Sequence, residues 1–317
     1  MKVGLLCGRE YSFPPAFIER VNERGGPQGI SAEFVKLTGT KMGEPSGYRV
    51  IVDRISHEVE YYRAFLKHAV LEGTYVINNP FWWTADDKFF NYAVAARLGV
   101  AVPKTVVLPQ KSYPADVDLT AESLHNLGYP IDWEGLLDYV GRPAILKPYS
   151  GGGWKHVYKV HNREELLAAY DITGPYCMTL QQFINFHQYV RCFTFGKTDI
   201  TPVAYDPRER RYLVEHAYLS PELGARIVRD AQTLNTALGY EMNTIEFAVQ
   251  DGVPYAIDFL NPAPDFERDR ITPHYFDLVV DRMANLVIDR ALHGQPQQTW
   301  PRWAEMVGLA TAATGPV

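Results

Sequence analysis

Lys147 closes a short apolar run and is followed at once by Pro-Tyr-Ser-Gly-Gly-Gly-Trp-Lys-His, which places Ser150, Gly151, Gly152 and Gly153 just behind a basic side chain. Glycine takes positive φ and has no Cβ, so a glycine triplet after a strand lets backbone N–H groups come close to phosphate oxygens. Lys147 would add a point charge there. The spacing is neither GxxxxGK[ST] nor GxGxxG, so the usual phosphate-loop and dinucleotide folds fit poorly. The same triplet would also serve as a plain turn between two strands.

A second group is rich in oxygen ligands: Glu246, then Asp258 and Asn261 in Ile-Asp-Phe-Leu-Asn-Pro. Two carboxylates and an amide oxygen brought together by a hairpin suit magnesium, which keeps waters and bridges nucleotide phosphates. Both acids would equally suit the solvent face of an amphipathic hairpin. Against that, Asp258 is flanked by Ile257, Phe259 and Leu260, where an unpaired charge is costly. Arg191 stands in the apolar run Tyr-Val-Arg-Cys-Phe and needs an anionic partner or an edge. Lys88, in Asp-Asp-Lys-Phe-Phe, is by itself an ordinary helix-surface lysine.

The elements that must carry these residues follow from periodicity. Strand-like runs at 2–7, 48–52 and 74–77 alternate with helical patterns at 16–26 and 58–73, the arrangement of a parallel sheet. Ligands meet such sheets at the loops leaving the strands' carboxyl ends, which makes Arg9, Arg54, His57 and Asn79 substrate candidates. A helix is predicted from Thr84 or Ala85 to Leu98, then a strand after Pro103, a connector over 109–142 with a helix near its end, and a strand at Ala144–Leu146. Beyond a helix at Arg163–Tyr170 and a strand at Met178–Ile184, the pattern turns antiparallel, with strands at 189–195, 201–205 and 211–215. A helix over Pro221–Leu238 precedes the hairpin 243–249 and 254–259, whose Asp251-Gly252 is a tight-turn signal. The final helix is predicted over Phe276–Leu292.

Composition sets outer bounds. The chain has 317 residues, enough for about two domains with sizeable cores. It has 31 basic and 37 acidic residues, a net charge of -6, which disfavours wholesale binding to nucleic acid. Three cysteines, Cys7, Cys177 and Cys192, without a CxxC pair, point to free thiols in a reducing compartment, so a cytoplasmic location is expected. The apolar stretch Val3–Cys7 is too short for a signal segment, and no run is long enough to span a membrane. At 13%, aromatic residues exceed ordinary core needs. Phe81, Trp82, Trp83, Tyr149, Trp154, Phe183 and Phe186 all flank the candidate segments.

Taken in order, Asn78–Thr105 with its Asp-Lys pair and Val-Pro-Lys-Thr close, Ile145–Val157 with Lys-Pro-Tyr-Ser-Gly-Gly-Gly, and Ile245–Asp265 with its Glu, Asp and Asn-Pro resemble the ATP-grasp superfamily. Within it the resemblance is to the RimK-like (ribosomal-protein glutamate ligase) and glutathione synthetase branch. It implies an α/β and α+β chain: an N-terminal parallel-sheet domain over 1–84, then a two-lobed ATP-grasp unit with antiparallel sheets. The small lobe with its glycine-rich loop would span 85–180 and the large lobe with the metal site 181–317. Lys88 and Lys147 match the lysines that contact nucleotide phosphates, and Ser150, Gly151, Gly152 and Gly153 the loop that closes over them. Gln181, Gln182, Phe183 and Ile184 match the hinge that receives adenine, with glutamine where the family often has glutamate. Arg191 matches an arginine facing the reacting phosphate, and Glu246, Asp258 and Asn261 match ligands for Mg²⁺ or Mn²⁺. One spacing departs from the family. Two residues, not one, separate Asp258 from Asn261, and in a regular strand the pair would face opposite ways unless the chain bulges or the strand ends.

The implied reaction is ATP-dependent carboxylate–amine ligation through an acyl phosphate, giving an amide or peptide bond, ADP and phosphate. Its partners would be a small-molecule carboxylate and an amine, amino acids or a peptide among them, with no nucleic acid and no membrane; a homodimer is in keeping with relatives. A kinase of the same fold, or a nucleotide-binding relative without catalysis, stands as the alternative.

Overall fold

The computed structural model describes residues 1–83, 87–113, 119, 122–150, 155–214, 218–297 and 302–308. They form two compact units: residues 1–86 with 187–317, and residues 87–186.

The chain opens with strand β1 (Lys2–Leu6), helix α1 (Phe13–Gly25), β2 (Ser31–Phe34), β3 (Val50–Asp53), α2 (Glu60–Leu71), β4 (Tyr75–Ile77) and the short α3 (Pro80–Trp83). The strands make a parallel sheet in the order β2-β1-β3-β4. Strand β2 was not foreseen, because Ser-Ala-Glu-Phe lies at the sheet edge and buries only Ala32, leaving no apolar run to read. Every residue of β3 is buried, as expected where helices cover both faces.

The middle unit begins at α4 (Lys88–Arg97), followed by β5 (Thr105–Leu108), α5 (Trp133–Val140), β6 (Ala144–Pro148), β7 (Tyr158–Val160), α6 (Arg163–Asp171) and β8 (Met178–Gln182). Residues 84–86 of the predicted helix lie outside the described residues, as do Gly151, Gly152, Gly153 and Trp154. Helix α4 starts where Asp87 accepts the Phe90 N–H at 2.6 Å, a side-chain cap for an otherwise orphaned donor. The antiparallel sheet runs β5-β8-β6-β7, and strand β7 again escaped the sequence reading. Leu146, Leu180, Leu137 and Leu166 are fully buried behind this sheet. Each stabilises the unit by about 2 kcal/mol relative to exposure.

Returning to the first unit, the chain forms β9 (Gln188–Phe195), β10 (Asp199–Asp206), β11 (Arg211–Tyr212), α7 (Pro221–Leu238), β12 (Met242–Gln250), β13 (Val253–Asp258), α8 (Arg268–His293) and α9 (Trp303–Met306). Its antiparallel sheet runs β11-β10-β9-β12-β13. The predicted hairpin turn is present: Asp251 at φ 52° and Gly252 at φ 74° supply the two left-handed positions of a tight connection. Helix α8 begins eight residues before its predicted start and breaks at Thr272 (φ 68°, ψ 154°), ahead of Pro273.

Within this unit, α1 and α8 cap each other. The Glu267 carboxylate accepts the N–H groups of Tyr11, Ser12 and Phe13 at 2.8–3.3 Å, while the Ser12 hydroxyl accepts the Arg268 N–H at 2.9 Å. A carboxylate at one helix start and a hydroxyl at the other satisfy donors that neither helix can satisfy alone. No helix among the described residues is long and apolar enough to cross a membrane.

Candidate functional site

Arg191 and Glu246 are register partners on β9 and β12, so their side chains leave the same face of the sheet. The guanidinium donates to Glu246 Oε1, and the Tyr189 hydroxyl donates to Glu246 Oε2. Both side chains of the ion pair are largely buried, 21% and 15% exposed. Arg191 lies over the Tyr205 ring at 3.9 Å and donates to the Tyr212 hydroxyl at 3.3 Å. Its Nε is buried with no hydrogen-bond partner among the described residues. Burial raises the Glu246 carboxyl above its ordinary range, Arg191 pulls it back, and Asp258 pushes it up again.

Asp258 faces Glu246 because β13 carries a bulge. Phe247 pairs with Ala256 and Glu246 with Asp258, so Ile257 is the extra residue. Without it Ile257 would oppose Glu246, and Asp258 would point to the other face. The strand then ends at Asp258, and the Asn261 side chain donates to Thr244 Oγ1 at 2.8 Å, two residues before Glu246 and on its face. The bulge thus aligns Asp258 with Glu246, and the strand's end lets Asn261 reach the same face despite the unusual spacing. Among the described residues no group of three or more His, Cys, Asp and Glu side chains is arranged to hold a metal. Glu246, Asp258 and Asn261 offer two carboxylates and an amide, a hard-oxygen set that fits magnesium with waters completing its shell.

In the middle unit, Lys147 Nζ donates to the Tyr92 hydroxyl at 2.9 Å. Tyr92 stands one turn after Lys88 on α4, and the Lys88 N–H donates to the Tyr149 carbonyl at 3.0 Å. These bonds bring Lys88, Lys147 and the exposed Ser150 to one corner of the unit. The hinge residues sit at the end of β8 and just after it. Gln181 Nε2 donates to Thr105 Oγ1 at 2.8 Å, and Gln182 Oε1 accepts the Lys104 N–H at 3.2 Å. Both glutamine side chains therefore tie β8 to β5. Ile184 is buried, and Lys159 Nζ lies 3.9 Å from the Phe183 ring centre.

The substrate candidates divide. Arg54 follows β3 as expected, but it is 3% exposed, sandwiched between the Phe13 and Phe266 rings at 4.8 Å each. Its guanidinium also holds Glu10 at 2.7 and 2.9 Å. Packing thus gives Arg54 an internal, structural position. Arg9, 93% exposed, and His57 lie at the surface, both beside Glu58 at 3.6 and 3.8 Å. Asn79 accepts the Phe81 N–H at 3.0 Å.

Sequence reasoning passed over Tyr189, Tyr205, Tyr212 and Tyr92, which grip the charged residues. Tyr189 carried a signal, since it stands two residues before Arg191 and so shares its face. The other three carried none, because their partners are distant in sequence. Among the described residues, Tyr205 and Tyr212 pack on Arg191, and Phe13 and Phe266 on Arg54, in the first unit.

No family model matches the chain, and no curated protein matches it. Solved structures do. A RimK-domain ATP-grasp protein from Sphaerobacter thermophilus DSM 20745 superposes with TM-score 0.63 at 17% identity, over 90% of this chain and 99% of that one. The macrocyclase MdnC bound with precursor peptide MdnA, from Microcystis aeruginosa MRC, gives 0.62 at 14% identity, over 90% and 99%. D-alanine–D-alanine ligase from Bacillus anthracis, complexed with ATP, gives 0.55 at 15%, over 92% and 97%. The chain has the fold of these solved ATP-grasp proteins.

Proposed function

We propose that this protein is an ATP-dependent ligase that joins a carboxylate to an amine through an acyl phosphate, releasing ADP and phosphate. The observation that carries this reading is the partly buried group Arg191, Glu246 and Asp258 on one sheet face. A guanidinium with an unpartnered buried Nε beside paired carboxylates suits a site that receives phosphate oxygens and a cation together. Lys88 and Lys147 would bind the nucleotide phosphates, the backbone at Ser150–Gly153 would cover them, and Gln181–Ile184 would receive adenine. Magnesium, held by Glu246, Asp258 and Asn261, would supply neutralising charge to the phosphate oxygens. Arg191 would stabilise charge on the transferring phosphoryl group and orient the substrate carboxylate, and no enzyme nucleophile is needed. Cys192 is buried and its thiol is pushed up by burial, which keeps it out of the chemistry.

Similar solved proteins include a ligase named for D-alanine and a macrocyclase bound to a peptide, which favours amino-acid or peptide substrates. Exposed Arg9 and His57 would meet a substrate carboxylate, while Arg54 would support the loop from within.

The test is ADP release across pairs of amino acids and short peptides. A ligase releases ADP and phosphate only when both a carboxylate and an amine are present. ADP formed from one substrate without free phosphate would indicate the kinase alternative, and ATP binding without turnover on any pair would indicate a non-catalytic binder.

A further inference from the structure

Residues 259–261 run on past the last residue of β13, yet one side chain holds two of their backbone groups. Asn243 Oδ1 accepts the Asn261 N–H at 3.0 Å, and Asn243 Nδ2 donates to the Phe259 carbonyl at 2.9 Å. The same Nδ2 donates to Asn235 Oδ1 on α7 at 3.0 Å. Asn243 is 1% exposed and Asn235 fully buried, so neither can exchange these bonds for water. A planar amide offers a carbonyl and an N–H side by side, as a peptide group does. The Asn243 side chain therefore extends the β12–β13 ladder beyond its last backbone pair. Just after this stretch, buried Asn78 donates to the Pro262 carbonyl at 3.2 Å and accepts the N–H groups of Glu241 and Met242 at 2.8 Å each. Two buried asparagines thus fix the segment on either side of Asn261.

We propose that Asn243 is a positioning residue for the cation site. Its amide absorbs the extra residue between Asp258 and Asn261 by pairing with Phe259 and Asn261 across Leu260. That pairing brings the Asn261 side chain to Thr244, on the face of Glu246, with the amide nitrogen engaged and the oxygen left as the ligand atom. Asn235 sets the rotation of the Asn243 amide from behind. The proposal rests on the reading of Glu246, Asp258 and Asn261 as cation ligands.

The experiment is Mn²⁺ binding by electron paramagnetic resonance with a non-hydrolysable ATP analogue, alongside thermal unfolding of the metal-free protein. Asn243→Ala is expected to raise the Mn²⁺ dissociation constant about 10-fold or more, as loss of outer-shell support does elsewhere, with binding of the analogue without metal unchanged. Asp258→Asn separates the two readings. If it leaves Mn²⁺ affinity unchanged, the cation assignment itself fails. If it weakens Mn²⁺ while Asn243→Ala binds Mn²⁺ like wild type, the positioning role alone is overturned. Should Asn243→Ala not fold, Asn235→Ala decides, since it removes only the bond behind the amide: weaker Mn²⁺ binding supports the proposal, and wild-type binding overturns it.

Discussion

The lysines of the middle unit and the arginine–carboxylate group of the first unit are charged residues held by opposite means. Lys147 is half-buried, with a tyrosine hydroxyl at 2.9 Å and the same ring at 5.3 Å, and Lys88 is half-buried at the first residue of α4. Arg191 and Glu246 are largely buried, and tyrosines contact both. A long side chain near water keeps its charge at little expense and can follow a ligand. A buried pair is stable only while both partners remain, because either one alone is a desolvated charge. The lysines are therefore separable from the fold, whereas the arginine–carboxylate group is part of it.

The largest effect expected from this difference is that of Arg191→Met. Removing the guanidinium leaves Glu246 beside Asp258 without its counter-charge and lowers stability by about 3 kcal/mol, read as a shift in urea midpoint. A loss below about 1 kcal/mol, the range of surface pairs, would erase the distinction between the two regions. Lys147→Ala is expected to lower stability by about 1 kcal/mol, well short of the loss at Arg191, because it removes one hydrogen bond to the buried Tyr92 hydroxyl. It should nonetheless weaken ATP binding roughly 10-fold or more by calorimetry, the worth of a charged hydrogen bond. A large stability loss there, with ATP affinity intact, would reverse the comparison.

The same contrast governs what could be read from sequence. Lys147 and the glycine triplet lie in one contiguous segment, so local order marked them, whereas Lys88 was marked only by the resemblance of the longer segment around it. The Asp251-Gly252 turn was legible because its left-handed backbone demands those residue types. The bulge at Ile257 was not, since Ala-Ile-Asp-Phe reads as unbroken strand and only the register with β12 exposes the extra residue. Arg54 was correctly placed after its strand. Its confinement depends on Phe13 and Phe266, one of them more than two hundred residues away, which no local pattern reveals. Asn243 went unremarked for the same reason, because its meaning lies in the backbone it touches.

The central claim is transfer of phosphoryl from ATP to a substrate carboxylate, and isotope tracing tests it most directly. With amino acids carrying ¹⁸O in their carboxylates, turnover through an acyl phosphate predicts one ¹⁸O in each inorganic phosphate released. Turnover that releases phosphate free of ¹⁸O would contradict the acyl-phosphate route and the role assigned to Arg191.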